Sequence, residues 1–308
     1  MGRHKRNVTY NNVFIVLLVY VDDIVITGNN IEEINNVKHS LSKTFMIKDL
    51  GKLKYFLGIE VIETEHGLSL CQRKYFLELL NEFGLLGCKP LNTSIEVNVS
   101  SYNGNEKDKV LSNITVQFMH APITAHLKLA FRVLRYLKGS PGKGVHISKG
   151  MSLNLVAYSD SDWAKNLIGR KSITGYCVFM GNSLISWKSK KQPTVSMSSA
   201  EAEYRALAAI TCEIIWILKV LNDLKLMSVL PITLCCDNSP VIQIAANPVH
   251  HERTKHFDID WHIVREKVNS GLIKILKIDS EVNPADLFTK DKSMIWIKGE
   301  NSWIEVKE

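Results

Sequence analysis

The order of apolar patterns between Leu153 and Ile278 constrains the fold of this chain more than any other feature of the sequence. Short apolar runs typical of strands alternate there with longer stretches of helical period. The pattern predicts three strands, a helix, a strand, two helices and a strand: Leu153–Ser159, Thr174–Met180, Ser183–Lys188, Ala200–Leu224, Ile232–Cys236, Val241–Ala246, His256–Asn269 and Leu272–Ile278. This order predicts an α/β domain with a mixed sheet and helices packed against it.

The first part of the chain has a different pattern. Two apolar runs, Val13–Val19 and Ile24–Thr27, flank the residues Tyr20–Asp23. Short apolar runs around paired acids predict a hairpin with Asp22 and Asp23 at its turn. Helical or alternating spacing predicts the elements that follow: Ile31–Phe45 with Asn30 as its cap, Tyr55–Ile62, Leu68–Cys71, Lys74–Phe83 and His126–Leu137.

Residues 92–113 interrupt these patterns. They are polar and have no sustained period, which is typical of a linker or a disordered insert. A second loop, Lys138–Gly144, is rich in glycine and contains Pro141. We place a domain boundary at this loop, which predicts a first domain over 1–144, a second over 145–290 and a divergent tail over 291–308.

The charge balance gives a broad indication of the partner. The 308 residues include 38 Lys and Arg against 31 Asp and Glu, which gives a net charge of +7. A basic protein favours polyanionic partners such as nucleic acid, although a merely basic surface has the same composition.

Cysteine, histidine and apolar content exclude several classes of protein. The six cysteines form no CxxC pair, so neither a zinc ribbon nor a redox motif is predicted. His250, His251, His256 and His262 fit no standard zinc spacing. The longest apolar run near the start, Val13–Val21, is far shorter than the ~20 residues that a membrane span needs. No secretory signal is evident, and we expect an intracellular protein, in a cytoplasmic particle or the nucleus.

Acidic residues occur where a metal-dependent hydrolase would need them. Hydrolysis of a phosphodiester with two divalent ions requires carboxylates that converge from different elements. Asp160 follows the predicted strand Leu153–Ser159, and Asp162 lies on the same side of an extended chain. A pair of turn acids would have the same spacing, so both interpretations stay open for this pair.

Glu203 is more informative because it lies on a predicted helix. The residues Ser198–Glu201 form a capping box, which gives the acid within it a structural role. Helical steps from Glu203 lead to Leu207, Ile210 and Ile214, so Glu203 begins the apolar stripe. A carboxylate on a core-facing stripe is costly, and its presence favours a function.

Two further acids end or begin elements. Asp237 follows the apolar run Ile232–Cys236, and Ser239 can cap the next helix, which leaves Asp237 without a capping role. Asp286 lies in Asn283–Asp286, where an acid in the first turn of a capped helix is an equally good explanation. Because their elements belong to one predicted sheet and its helices, we expect the acids to form one cluster.

Six segments of the second domain form a pattern of their own: Tyr158–Ala164, Arg170–Tyr176, Ser198–Tyr204, Cys236–Asn238, Arg253–His256 and Asn283–Lys290. In this order and spacing they resemble the ribonuclease H region of copia-type LTR retrotransposon Pol polyproteins. The resemblance implies a ribonuclease H-like mixed sheet with flanking helices. It also implies a catalytic set of Asp160, Glu203, Asp237 and Asp286 that binds two Mg²⁺ ions, with Mn²⁺ as an alternative.

The first domain resembles the reverse transcriptase of the same elements. Tyr20–Asp23 is similar to the active-site hairpin, which implies Asp22 and Asp23 as metal ligands. Three other segments resemble the copia group: Lys48–Glu60, Phe118–Pro122 and Arg135–Gly139. That family needs a further Asp upstream, whereas the nineteen residues before Tyr20 contain no Asp or Glu. We therefore expect a truncated palm and thumb-connection region without polymerase activity of its own, as in a fragment of a decayed element.

The resemblance implies an endoribonuclease that cuts the RNA strand of RNA/DNA hybrids. Five basic residues are predicted to contact the phosphates of the hybrid: Arg170, Lys171, Lys188, Lys190 and Lys191. A solvated basic rim would have the same residues. Other Pol fragments are further candidate partners, and neither a membrane nor a small-molecule cofactor is predicted. The alternatives are an inactive remnant that binds nucleic acid and a chain without function.

Overall fold

The structure is a computed structural model, and it describes residues 5–10, 13–92, 124–164, 169–226, 228–246, 258–290, 298–299 and 302–303. Its helices are α1 (Ile31–Thr44), α2 (Arg73–Glu82), α3 (Thr124–Leu137), α4 (Ser199–Asp223), α5 (Ser239–Ala246) and α6 (Asp258–Asn269). Its strands before α2 are β1 (Lys5–Tyr10), β2 (Val13–Tyr20), β3 (Asp23–Gly28), β4 (Tyr55–Phe56), β5 (Ile59–Thr64) and β6 (Gly67–Cys71). The later strands are β7 (Val145–Ser148), β8 (Leu155–Asp162), β9 (Ile173–Met180), β10 (Ser183–Lys191), β11 (Ile232–Cys236), β12 (Ile273–Lys277), β13 (Lys298–Gly299) and β14 (Ser302–Trp303).

The hairpin predicted around the paired acids is present. β2 and β3 pair antiparallel within the sheet β1-β2-β3, and Tyr20 lies opposite Asp23. Asp22 is therefore in the turn, and Asp23 is the first residue of β3. The predicted cap of α1 is also confirmed, because the Asn30 side chain accepts hydrogen bonds from the backbone N–H groups of Glu32 and Glu33.

A second antiparallel sheet has the order β4-β5-β6-β7. Its last strand, β7, begins the segment 145–290, yet it pairs with β6 in a register that places Leu68 opposite Ile147. The division of the chain at residue 144 stays a prediction. The polar stretch 92–113 lies outside the described residues except for Asn92, and so do the motifs Phe118–Pro122 and Arg253–His256.

The third sheet confirms the fold class predicted for the second half of the chain. Its order is β10-β9-β8-β11-β12. β8, β9 and β10 are antiparallel neighbours, whereas β11 runs parallel to both β8 and β12. A mixed sheet of this kind needs helical crossovers, which α4, α5 and α6 provide. Among the described helices, none is both long and apolar enough to cross a membrane.

The core of this half lies between the sheet and α4. Ala157, Val178 and Leu234 of the sheet are fully buried, and so are Leu207 and Ile210 of the helix. Full burial of a side chain the size of Val, Leu or Ile contributes about 1.5–3 kcal/mol, so the packing of α4 on the sheet stabilises this half. The helix positions every residue on its inner face, including those of its first turn.

Several element boundaries differ from the prediction, and two of them lie beside predicted acids. The run predicted as one strand over Tyr55–Ile62 forms the two strands β4 and β5. β8 continues to Asp162, because Asp160 pairs with Gly175 and the ladder extends to the pair Asp162–Ile173. Asp160 therefore lies within a strand and not at its end. The helix α5 begins at Ser239, and the Asn238 side chain caps it by accepting a hydrogen bond from the N–H of Val241.

Candidate active site

Four acids predicted from the sequence meet at one edge of the mixed sheet. β8 and β11 are parallel neighbours, so their carboxyl ends carry Asp160 and Asp237 to the same edge. Carboxylate oxygens of Asp160, Asp237 and Asp286 lie within 4.8 Å of one another. Glu203, Cys236 and Asp237 form a second group within the same distance. Because Asp237 belongs to both groups, we call Asp160, Glu203, Asp237 and Asp286 together the carboxylate cluster.

Glu203 enters the cluster from the first turns of α4. Its side chain is 6% exposed, which confirms the core-facing position. Its Oε1 accepts a hydrogen bond from the backbone N–H of Ser161 at 3.1 Å. Burial, followed by the charges of Asp160 and Asp237, raises the pKa of Glu203 to about 9. Its Oε2 is buried and has no hydrogen-bond partner among the described residues.

Asp160 is the most enclosed acid of the sheet, at 2% exposure. Burial raises the pKa of Asp160 to about 6, and the charges of Asp286 and Asp237 act in the same direction. The Thr289 hydroxyl donates a hydrogen bond to Asp160 Oδ2, which opposes the shift. A carboxylate in these surroundings favours a nearby cation.

Lys290 supplies one cation to the cluster. Its Nζ lies 2.6 Å from Asp286 Oδ2 and 4.0 Å from Asp160 Oδ1. Burial lowers the pKa of Lys290, but the hydrogen bond to Asp286 and the charges of Asp160, Asp286 and Asp237 outweigh it, so the pKa is raised. One ammonium group therefore partly balances four carboxyl groups.

The segment Ser280–Phe288 holds the remaining two acids in place. The Ser280 hydroxyl donates a hydrogen bond of 2.5 Å to Asp237 Oδ2. Asn283 caps the short 3₁₀ helix Pro284–Phe288 and also donates from Nδ2 to the Ser159 carbonyl at 3.0 Å. The cap predicted at Asn283 is confirmed, and it ties Asp286 to the strand that carries Asp160.

Gly175 allows this 3₁₀ helix to approach the sheet. A Cβ at this position would lie 2.5 Å from Thr289 Cγ2 and 2.9 Å from the Ala285 carbonyl oxygen. Glycine removes that clash and lets Asp286 lie beside Asp160 across the sheet.

The donor set of the cluster fits a hard divalent cation. Carboxylate oxygens are the ligands that Mg²⁺ and Mn²⁺ prefer, and three acids already converge without a metal. The buried, unbonded Oε2 of Glu203 is a further ligand atom that no described protein donor satisfies. Among the described residues, the triads of possible metal-binding groups all include Asp237.

The residues predicted to bind nucleic acid are divided between two surroundings. Lys188, Lys190 and Lys191 are exposed on β10 and line a cleft of about 290 Å³ beside α4. Lys171 is half-buried, and its Nζ donates to the Pro193 carbonyl at 2.5 Å. Arg170 is exposed. β10 is two strands from β8, which places the cleft roughly 10 Å from the strand of Asp160.

Among the described residues, no third ligand joins the hairpin acids of the first part. Asp22 and Asp23 are both exposed at the turn between β2 and β3. Within the described part of the chain, no metal-binding triad includes either residue. Asp162 is half-buried, and neither triad found among the described residues includes it. It is the last residue of β8, so the interpretation of Asp160 and Asp162 as a pair of turn acids is wrong.

Three residues that were not predicted as site residues each contact an acid of the cluster: Thr289, Lys290 and Ser280. The spacing of Asp286 and Lys290, one helical turn apart, was a signal for their ion pair. No local signal links Ser280 to Asp237, because the two are 43 positions apart.

Comparison with known proteins finds relatives whose similarity extends over both halves of the chain. A family model described as reverse transcriptase (RNA-dependent DNA polymerase) matches residues 2–97. The Retrovirus-related Pol polyprotein from transposon RE1 of Arabidopsis thaliana is 38% identical over 303 residues, which cover 91% of this chain and 21% of that protein. That from transposon TNT 1-94 of Nicotiana tabacum is 33% identical, with 91% of this chain and 23% of that protein covered.

A shorter relative and a solved structure are also similar. An uncharacterized mitochondrial protein of Arabidopsis thaliana is 42% identical over 223 residues, which cover 65% of this chain and 93% of that protein. The N-terminal RNase H domain of Rv2228c from Mycobacterium tuberculosis superposes with a TM-score of 0.35 at 15% identity, over 46% of this chain and 93% of that one. The chain thus spans about a fifth of the length of the Pol polyproteins that it matches, and it belongs to the family of copia-type retrovirus-related Pol polyproteins of transposons.

Proposed function

We propose that the chain cleaves the RNA strand of RNA/DNA hybrids by metal-dependent hydrolysis at the carboxylate cluster. The observation that carries this proposal is the convergence of four acids at one edge of a mixed sheet: Asp160 of β8, Glu203 of α4, Asp237 directly after β11 and Asp286 of the 3₁₀ helix. Acids so close together repel one another, and their cost is balanced when divalent cations bind.

The four acids would hold two Mg²⁺ ions, with Mn²⁺ as an alternative. When bound, such ions activate a water molecule and stabilise the leaving oxygen of a phosphodiester. The residues of the chain act by positioning the ligands. Ser161 orients Glu203, Thr289 orients Asp160, and Ser280 orients Asp237 through the hydrogen bonds described above.

Lys290 is placed to neutralise negative charge in the carboxylate cluster. Its ammonium group lies between Asp286 and Asp160, so it neutralises part of the cluster while the acids are deprotonated. The basic residues Lys188, Lys190 and Lys191 would contact phosphates of the hybrid outside the cluster, because no salt bridge joins them to an acid among the described residues. Such contacts are independent of sequence and weaken with added salt.

The test uses the full chain on a hybrid whose RNA strand is end-labelled, with Mg²⁺ present. We expect RNA cleavage by the wild type and its loss in Asp237→Asn, which removes the acid shared by both ligand groups. Glu65→Gln is the matched control, because Glu65 is exposed in the turn between β5 and β6. RNA/RNA and DNA/DNA duplexes of the same sequence test the choice of substrate.

Each outcome of this assay decides between the candidate functions. Cleavage that disappears in Asp237→Asn and persists in Glu65→Gln supports the nuclease. A folded wild type that binds hybrid without cutting it overturns the nuclease in favour of an inactive nucleic-acid-binding remnant. A folded wild type that neither binds nor cuts leaves the chain without either function.

A further inference from the structure

Trp163 is an exposed aromatic residue close in the chain to Asp160 of the carboxylate cluster. It directly follows the last residue of β8, three positions after Asp160, and it is 49% exposed. In extended chain this separation is roughly 10 Å. A duplex rises by 3.4 Å per base pair, so the distance corresponds to about three nucleotides.

The indole of Trp163 is anchored although half of it is exposed. Its Nε1 donates a hydrogen bond of 3.0 Å to the carbonyl of Ser196. The Ser196 hydroxyl donates to Gln192 Oε1 at 2.8 Å, and Gln192 Nε2 donates in turn to Thr174 Oγ1 and to the Ala202 carbonyl. Ser196 and Gln192 are 2% and 4% exposed, so the partner of the indole belongs to a buried polar network.

The same segment exposes two more apolar side chains. Val195 and Met197 flank Ser196 and are 47% and 83% exposed. The Met197 backbone is itself fixed, because its N–H donates to Glu201 Oε2 at 2.7 Å. We call Trp163, Val195 and Met197 the rim platform. A rigid backbone that keeps aromatic and aliphatic side chains in solvent is typical of a binding surface.

Cations adjoin the rim platform. Lys190 and Lys191 end β10, directly before the segment that carries Val195 and Met197. Lys171 donates to the Pro193 carbonyl of that segment at 2.5 Å. Aromatic faces next to cations are the combination with which proteins hold single nucleotides, since the ring contacts base or sugar and the cations contact phosphate.

We propose that the rim platform binds one nucleotide of the hybrid, within about three positions of the cut, with the Trp163 indole packed against its base or sugar. The proposal rests on the proposed nuclease function. The hydrogen bond to Ser196 uses the only polar atom of the indole, so the exposed ring face contributes by packing and not by base-specific recognition. The ring therefore positions the strand without selecting its sequence.

The first measurement compares steady-state cleavage by the full chain and three variants. In Trp163→Ala we expect KM to rise about ten-fold, or about 1.4 kcal/mol, with kcat changed by less than about two-fold. Trp163→Phe keeps a ring and should stay within about three-fold of the wild type in KM. Trp216→Ala is the matched control. Trp216 is 54% exposed on α4, and it lines neither the carboxylate cluster nor the cleft that contains Lys188, Lys190 and Lys191.

The second measurement tests Trp163 with the conservative variant Trp163→Phe, which keeps an aromatic ring. Hybrid is added to the Asp237→Asn protein, which should not cut, and tryptophan fluorescence is recorded. We expect hybrid to quench the fluorescence of the Asp237→Asn protein. The quenching should disappear in the double variant that also carries Trp163→Phe, and it should persist in the double variant that also carries Trp216→Ala. If quenching persists in the variant with Trp163→Phe and KM is unchanged in Trp163→Ala, the proposed nucleotide binding by the rim platform is wrong. The proposed nuclease function is not affected by that result. A wild type that neither cuts nor binds hybrid overturns the proposed function first, and the platform with it.

Discussion

Glu203 Oε1 accepts a hydrogen bond of 3.1 Å from the backbone N–H of Ser161, the residue that follows Asp160 in β8. The bond joins the first turns of α4 to the strand at the level of the cluster. A helix acid and a strand acid are thereby held at one place before any metal binds. The cost of this preorganisation is visible in the pKa of Glu203, which burial and the neighbouring acids raise to about 9.

This raised pKa predicts how stability varies with pH in the metal-free protein. Between the ordinary value of 4.5 and about 9, the folded state binds a proton at Glu203 that the unfolded state releases. The contribution of protonated Glu203 to the free energy of unfolding is therefore fully present below pH 4.5 and is lost as pH rises towards 9. At pH 8 in EDTA, the melting temperature of Glu203→Gln should therefore be higher than that of the wild type. At pH 4.5 the two melting temperatures should be nearly equal. Equal melting temperatures at both pH values would falsify the assignment.

Glu203→Gln also separates stability from activity. A glutamine keeps the acceptor for the Ser161 N–H but loses the charge that a metal ligand needs. We expect cleavage of hybrid to fall by at least about 100-fold while the folded fraction rises. A variant that is both stabilised and active would show that Glu203 is not a ligand.

Lys290 is predicted to stabilise the metal-free protein more than the metal-bound one. Lys290→Met leaves Asp286 and Asp160 without their shared cation. Because Lys290 is 36% exposed, solvent screens the pair and the loss should be modest, about 1–2 kcal/mol, between the values for exposed and buried pairs. Added Mg²⁺ replaces the missing charge and should restore most of the melting temperature. The control is Lys219→Met, since Lys219 is exposed on α4. The same loss with and without Mg²⁺ would count against this role.

Gly175→Ala should displace the 3₁₀ helix that carries Asp286. The added Cβ meets Thr289 and the Ala285 carbonyl at distances that real contacts do not reach. We expect a loss of about 1–3 kcal/mol in the free energy of unfolding and a larger proportional loss of cleavage. Gly87→Ala is the matched control, because a Cβ there meets no atom within 4 Å. Thermal melts and cleavage rates measured on both variants check this prediction.

Lys190 and Lys191 should determine part of the salt dependence of binding. Each phosphate contact contributes about 0.9 to the slope of log K against log salt on a duplex. Replacing both lysines with alanine should therefore lower the slope by about 2, whereas Lys219→Ala should leave it unchanged. Hybrid-binding titrations between about 50 and 200 mM salt measure the difference. An unaltered slope would identify these lysines as a solvated rim.

The hairpin acids are predicted to give no polymerase activity in this chain. Asp22 and Asp23 are exposed, and among the described residues no third ligand joins them. A primed-template assay on the full chain should show no nucleotide incorporation with Mg²⁺ or Mn²⁺. Incorporation that Asp22→Asn abolishes would contradict this and would require a third ligand elsewhere in the chain.

Much of the fold was predictable because it depends on local periodicity. The runs that form β8 to β12 and the helices between them follow the apolar pattern to within a few residues. Glu203 was placed in the core by its spacing from Leu207 and Ile210 alone. The same order of elements carried Asp160 and Asp237 to one edge, since the parallel strands β8 and β11 end together.

The sequence by itself therefore determined the kind and order of the elements and which acids they carry. Only the tertiary structure decided that β8 extends to Asp162, that β7 pairs with β6, and that Thr289 and Lys290 reach Asp160. These features join residues that are far apart in the chain; Thr289 and Asp160 are 129 positions apart. A local pattern reflects propensity and amphipathic spacing, whereas such contacts arise from packing, which exists only after the sheet and its helices have assembled.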